Sequence, residues 1–179
     1  MMKLKLFTFF AIGIMLCALL TGCGFHAQTP NDIPLQLRRI YLDSPNPYIP
    51  LTVQLRRILT SLNVRFTTTA KGAPVTLRII DNKMTANIPT ILYSGNANSY
   101  TYTLVTDIEI AKRNGKIIYG PKRLSISRSL LQNVNQLYTP NASALMKREL
   151  THTMVTLIYN HITSLKTRHA LQKAFSNKS

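Results

Sequence analysis

The chain reads as an α+β protein: a two-layer sandwich whose small, mostly antiparallel sheet of four to five strands is covered by two amphipathic helices. Three observations predict this. The middle of the chain alternates apolar and polar residues, with Val75, Leu77 and Ile79 against Thr76 and Arg78, the period of a half-buried strand. Two other stretches repeat apolar residues at spacings of three and four, one around Leu55 and one around Met154. An Asn114-Gly115 pair separates two alternating runs and is the strongest short hairpin signal. The length of 179 residues fits one domain, and 45% hydrophobic residues against 7 Gly and 9 Pro support a packed core.

Residues 1–22 read as a lipoprotein signal peptide, an address outside the fold. Lys3 and Lys5 precede a charge-free apolar stretch over residues 6–20, long enough for secretion and short for a bilayer span. It ends in Leu20-Thr21-Gly22-Cys23, small residues before a cysteine, which resembles a bacterial lipobox. In such a box the signal is cut before the cysteine, and Cys23 becomes the lipidation site. An ordinary signal peptide that happens to meet a cysteine is the plainer alternative. Cys17 leaves with the signal and Cys23 is consumed by lipid, so the mature chain is expected to hold no thiol, disulfide or thiolate metal site. Gly24 stands where an Asp commonly retains lipoproteins in the inner membrane, so its presence fits outer-membrane sorting. Residues 23–36, with Pro30, Pro34 and no periodicity, form a lipidated tether.

The domain proper is expected over residues 37–166. Residues 39–43 form a short strand that Pro45 and Pro47 end. Leu51, Leu55, Ile58, Leu59 and Leu62 then share one helical face, with Pro50 suited to the first turn and Asn63 as the stop. Residues 64–69 are β-branched and aromatic, hence a strand, and strand, helix and strand together make a crossover unit. After a Ser94-Gly95 break, Tyr102, Leu104, Thr106, Ile108 and Ile110 alternate with Thr103, Asp107 and Glu109. Asn114-Gly115 is expected to form a type I′ turn, with φ above zero at both residues. The returning strand runs over about residues 116–131, Leu124 and Ile126 on one face and Ser125, Ser127 and Ser129 on the other, with Pro121 marking an edge or a bulge. From Pro140, Leu145, Met146, Leu150, Met154, Leu157, Ile158, Ile162 and Leu165 form one long amphipathic helix. Residues 167–179 are polar and basic and are expected to be a disordered tail.

Catalytic patterns are missing from the sequence. His26, His152, His161 and His169 lack the spacing of three or four that puts two ligands on one helix face, and no metalloprotease, nucleophile-elbow, phosphate-loop or dinucleotide pattern occurs. His161 beside the apolar stripe reads as a half-buried core residue. Asp107 and Glu109 share a strand face and read as a solvated pair among basic neighbours. The expectation is a protein with no enzymatic activity, no cofactor and no metal.

Charge is the remaining signal. The formal charge is +16, from 22 basic and 6 acidic residues. From Lys112 onward there are twelve basic residues and one acid, Glu149. Lys112, Arg113, Lys116, Lys122 and Arg123 fall on one hairpin, a field that attracts polyanions across about 8 Å at physiological salt. Nucleic acid is excluded as the partner of a lipid-anchored envelope protein, which leaves phosphorylated glycolipid. Arg128 alternates in phase with Leu124 and Ile126. It either snorkels past the sheet end or offers its guanidinium to a carboxylate or a phosphate. Tyr93, Tyr100, Tyr102, Tyr119 and Tyr138 either serve an interface or pack on the sheet.

The order of these features resembles the LptE family of lipopolysaccharide-assembly lipoproteins. The residues that carry the resemblance are Leu20-Thr21-Gly22-Cys23-Gly24-Phe25-His26, Ile40-Tyr41-Leu42-Asp43-Ser44, and a helix with paired basic residues followed by Leu62-Asn63. Tyr93-Ser94-Gly95-Asn96, the Tyr100 strand and Arg128-Ser129 before a long helix continue it. The resemblance implies a lipoprotein of the outer membrane, facing the periplasm, that sits as a plug inside the LptD barrel. It implies help in assembling that barrel and binding of lipopolysaccharide on its way to the outer leaflet. Family members can carry basic residues where this chain has Tyr93 and Pro140, so Lys112, Arg113, Lys116, Lys122, Arg123 and Arg128 stand in as the lipopolysaccharide-binding candidates on charge alone. The competing reading is an envelope scaffold lipoprotein with a purely protein partner, its charge only steering encounter. Cells labelled with radioactive palmitate should incorporate it into the native chain, and Cys23→Ser should abolish that label.

Overall fold

The computed structural model describes residues 30–91, 97–133 and 140–176. The signal peptide, Cys23, Tyr93, the Ser94-Gly95 break and Tyr138 lie outside them. Five strands form one sheet in the order β2-β1-β3-β4-β5: β1 (Arg39–Asp43), β2 (Arg65–Phe66), β3 (Val75–Ile91), β4 (Ala97–Lys112) and β5 (Ile117–Asn133). Three helices accompany it: α1 (Pro50–Ser61), α2 (Pro140–Thr163) and α3 (Leu165–Ser176). β1 is parallel to β2 and β3, and the long β3–β4–β5 meander is antiparallel.

The α1 crossover forms as its sequence dictates. Pro50 sits in the first turn and Asn63, at φ 63°, takes the left-handed position after the helix, where Asn is tolerated. Leu51, Leu55, Leu59 and Leu62 are buried. They meet Val75, Leu77 and Ile79 of β3, Leu104, Ile108 and Ile110 of β4, and Leu150, Met154, Ile158 and Ile162 of α2 in one core. A bulge between Ile79 and Asp81 leaves Ile80 exposed and moves the core-facing phase of β3 from odd to even residues. Asn82 then faces Thr106, whose hydroxyl donates to it at 2.9 Å, and Met84 packs on the core. The opposite face carries hydroxyl pairs, Thr101 with Ser129 at 2.9 Å and Thr103 with Ser127 at 2.8 Å.

Three details differ from expectation. The hairpin turn is not type I′, because only Gly115 of the pair has positive φ, 83°. The Gly115 amide donates to Lys112 and the Lys112 amide to Lys116, a three-residue loop with the glycine in the left-handed bulge position. The second strand is shorter than residues 64–69, because only Arg65 and Phe66 find ladder partners on β1. Pro121 is both at an edge and in an irregularity: β5 is the last strand, and its register slips twice beside Gly120. Gly120 has φ 99°, and a Cβ there would lie 2.8 Å from the Ile108 carbonyl oxygen, so only glycine fits.

The third difference lies at the two ends of the domain. The tail expected to be disordered forms α3, with Thr167 and Leu171 buried. Ser164 interrupts the long helix and its hydroxyl accepts from the Thr167 amide at 3.3 Å, the work of an N-cap. The break turns Leu165 out to solvent, and Leu145 at the other end of the predicted stripe is also exposed. The tether is docked from Ile33, which is buried with Leu37 in the core. Arg168 holds this segment by donating to the Asp32 carbonyl and, at 2.9 Å, to the Thr163 carbonyl. Leu171→Ala should cost about 2–5 kcal/mol in urea unfolding, as large-to-small core changes do, while Leu165→Ala should change stability by less than about 0.5 kcal/mol; equal effects would mean α3 is not packed.

Candidate functional site

The structure divides the six basic candidates into separate groups. Lys112, Arg113 and Lys116 surround the β4–β5 turn. Lys122 and Arg123 follow on β5 opposite Ile108 and Asp107, so alternation sends them to opposite faces. Arg128 lies opposite Tyr102, some 17 Å along the strand from Arg123 at about 3.4 Å per residue. No single patch holds all six.

At the turn, Pro74, Lys112, Arg113, Asn114, Ala174 and Phe175 line a pocket of about 370 Å³. Its floor is the apolar surface of Pro74 and Phe175, and cations stand at its rim. The Lys112 ammonium lies 5.2 Å from the Phe175 ring centroid, within cation–π range. Arg113 donates to the Ala73 carbonyl at 3.2 Å, which fixes it across the strand end. Phe175 belongs to α3, so the sequence expectation of a disordered tail could not have found this pocket.

The acidic residues are placed in cross-strand rows on the face away from the helices. Register aligns Asp43, Arg78 and Glu109 across β1, β3 and β4. Arg78 Nε donates to Asp43 at 3.0 Å and Nη1 donates to Glu109. The Arg78 guanidinium is held charged more firmly than usual, first by the Asp43 hydrogen bond. Glu109 is buried, not the solvated residue expected, and its closeness to Gly120 explains why. Asp107 takes a bidentate pair from Arg123, 2.9 and 2.8 Å, and this hydrogen bonding holds its carboxyl below the usual carboxylate range. Arg123 is therefore occupied within the chain and is a poor ligand for anything else.

On the helix side, Arg128 lines an open cleft of about 770 Å³ with Arg57 and Ile58 of α1 and Arg148, Glu149 and His152 of α2. Sequence reasoning identified Arg128 but missed the others, which lie on exposed positions of two helices far apart in the chain. Tyr102 and Tyr100 pack toward the core, with Tyr102 Oη 2.9 Å from Ser143. These tyrosines serve the sheet, not an exposed interface. Tyr119 Oη lies 2.8 Å from Nε2 of the half-buried His161. Burial, then the charges of Lys122 and Lys166, hold the His161 imidazole below its ordinary range. Pro140, the other position of interest, opens α2. Among the described residues no group of three or more His, Cys, Asp or Glu side chains could hold a metal ion, and no helix is long and apolar enough to cross a membrane.

Comparison with known proteins agrees with this architecture. The family described as LptE, lipopolysaccharide-assembly, matches residues 37–162. The LPS-assembly lipoprotein LptE of Pectobacterium atrosepticum is 30% identical over 134 residues, 74% of this chain and 70% of the relative. The protein of the same name from Photorhabdus laumondii is 27% identical over 63% of this chain and 60% of its own. Among solved structures, a minor lipoprotein from Acinetobacter baumannii aligns with a TM-score of 0.60 at 21% identity, over 73% of this chain and 93% of that one. An uncharacterized lipoprotein B from Nitrosomonas europaea aligns with a TM-score of 0.63 at 12% identity, over 80% and 93%. These two show the fold.

The burial of His161 beside Lys122 and Lys166 yields a pH dependence. The unfolded chain protonates this histidine near pH 6.5, before the folded chain does. Stability is then undiminished above that pH and falls as the pH drops through 6.5 toward the lower folded value. Urea midpoints between pH 7.5 and 5 should fall less steeply for His161→Gln than for the native protein; parallel curves would remove His161 as the source.

Proposed function

The chain belongs to the LptE lipopolysaccharide-assembly family, and from that membership we propose that it is an outer-membrane lipoprotein anchored through Cys23. It plugs the LptD barrel, supports the assembly of that barrel, and helps deliver and insert lipopolysaccharide into the outer leaflet. The observation that carries the glycolipid part is the β4–β5 turn. There, Lys112 and Arg113 rim a pocket floored by Pro74 and Phe175. Lipopolysaccharide joins phosphorylated sugars to acyl chains, so a cationic rim beside an apolar floor matches its chemistry. Lys116 adds charge at the same turn. Arg123 drops out of the candidate set, because Asp107 already balances its charge through a two-bond pair to Nε and Nη2.

A plug needs a rigid body more than a reactive centre. The long meander with its hydroxyl ladder, the core of three helices and the half-buried Arg78–Glu109 pair supply that rigidity. The alternative of a purely protein-binding scaffold predicts a barrel partner without glycolipid affinity, and one experiment separates the two. Affinity purification from detergent-solubilised outer membranes should recover a large barrel with the tagged chain. The combined variant Lys112→Glu, Arg113→Glu, Lys116→Glu should still recover it, while lipopolysaccharide affinity of the purified protein falls about tenfold or more and loses salt dependence. Unchanged affinity and salt dependence would exclude the turn as the glycolipid site, and failure to recover a barrel would exclude the plug.

A further inference from the structure

We propose that the cleft between α1, β5 and α2 is a second anion site, a receptor for phosphate groups that is separate from the turn. Arg57, Arg128 and Arg148 reach it from three different elements. All three are exposed, and among the described residues none of them makes an ion pair or a side-chain hydrogen bond. This contrasts with the rest of the chain, where Asp43, Glu109 and Asp107 are all matched with Arg78 or Arg123. Among the described residues Glu149 is the only carboxylate lining the cleft, so three guanidinium charges face one negative charge.

Like charges gathered on separate elements repel, and the cleft is balanced only when an anion enters. The excess of two positive charges fits a phosphate dianion or two phosphoryl groups; one carboxylate leaves it uncompensated. Guanidinium forks match phosphoryl oxygens bidentately. Gln54, Thr153 and His152 add polar side chains along the same wall. The cleft is open and about 770 Å³ in volume, roomy enough for a phosphorylated headgroup rather than a bare ion. Two sources supply that chemistry, the phosphorylated sugars of a glycolipid and the phosphodiester headgroups of an anionic phospholipid. This site does not depend on the turn or on a barrel partner.

The test uses the mature, full-length chain in neutral detergent, titrated with inorganic pyrophosphate and followed by calorimetry. Binding is expected, and Arg57→Gln, Arg128→Gln and Arg148→Gln should each weaken it about tenfold or more, the scale of one charge-assisted hydrogen bond. Lys71→Gln, which changes net charge equally at an exposed position away from both the turn and the cleft, should leave it within about twofold. Deacylated lipopolysaccharide and phosphatidylglycerol vesicles then identify the source, whichever shows the same dependence on the three arginines. Unfolding midpoints of the variants should match the native protein, since none of the three side chains is packed. Absence of pyrophosphate binding, or binding indifferent to all three changes, overturns the proposal. So does arginine-dependent binding of polyglutamate without pyrophosphate binding, which would assign the cleft to an acidic protein segment.

Discussion

A sheet with one apolar face has to be covered, and this requirement organises the molecule. Val75, Leu77 and Ile79 of β3, with Leu104, Ile108 and Ile110 of β4, present that face, and Leu55, Leu59, Leu150, Met154 and Ile158 close it. Burial of such side chains contributes about 1.5–3 kcal/mol each, and among the described residues there is no disulfide or metal to share the load. The other face can then be polar without penalty. It carries hydroxyl pairs and charged rows whose partners are set by strand register.

The same register decides where charge is available. Asp107 and Glu109 are two residues apart on β4, yet each is matched with an arginine from a different neighbouring strand. Asp43, Asp107 and Glu109 are thereby consumed within the sheet. Uncompensated positive charge is left at the β4–β5 turn and in the cleft on the helix side. A large net charge thus becomes two local fields with different surroundings, one beside an apolar pocket and one among polar side chains.

Much of the fold was legible because apolar spacing reports burial directly. β1, α1 and the start of α2 fall where their residues place them, and Pro50 and Asn63 bracket α1 as capping chemistry requires. What was not legible depended on contacts between distant segments. α3 buries only Thr167 and Leu171, too few residues to show a period, although Ser164 three positions before Thr167 was a readable cap. The tether looked unstructured because Ile33 and Leu37 are single apolar residues whose partners lie elsewhere. The turn type hinged on one dihedral of Asn114. Of the site, Arg128 stood out because it broke an apolar phase. Arg57 and Arg148 did not, because an arginine on an exposed helix position carries no signal until the fold brings it beside another.

The bond from Arg168 to the Asp32 carbonyl has a mechanical consequence. Asp32 lies nine positions after Cys23, and fully stretched at about 3.3–3.6 Å per position that span reaches roughly 30 Å. A lipid on Cys23, the proposed anchor, would therefore moor the domain on a short leash, fastened at the corner where α2 gives way to α3. From that corner α3 runs 12 residues to the turn pocket at Phe175, about 18 Å at 1.5 Å per residue. With that anchor in place, leash and helix in series would confine the cationic turn to a shell within about 50 Å of the bilayer surface, and a search for the proposed amphiphile would be a tethered one over a nanometre-scale volume.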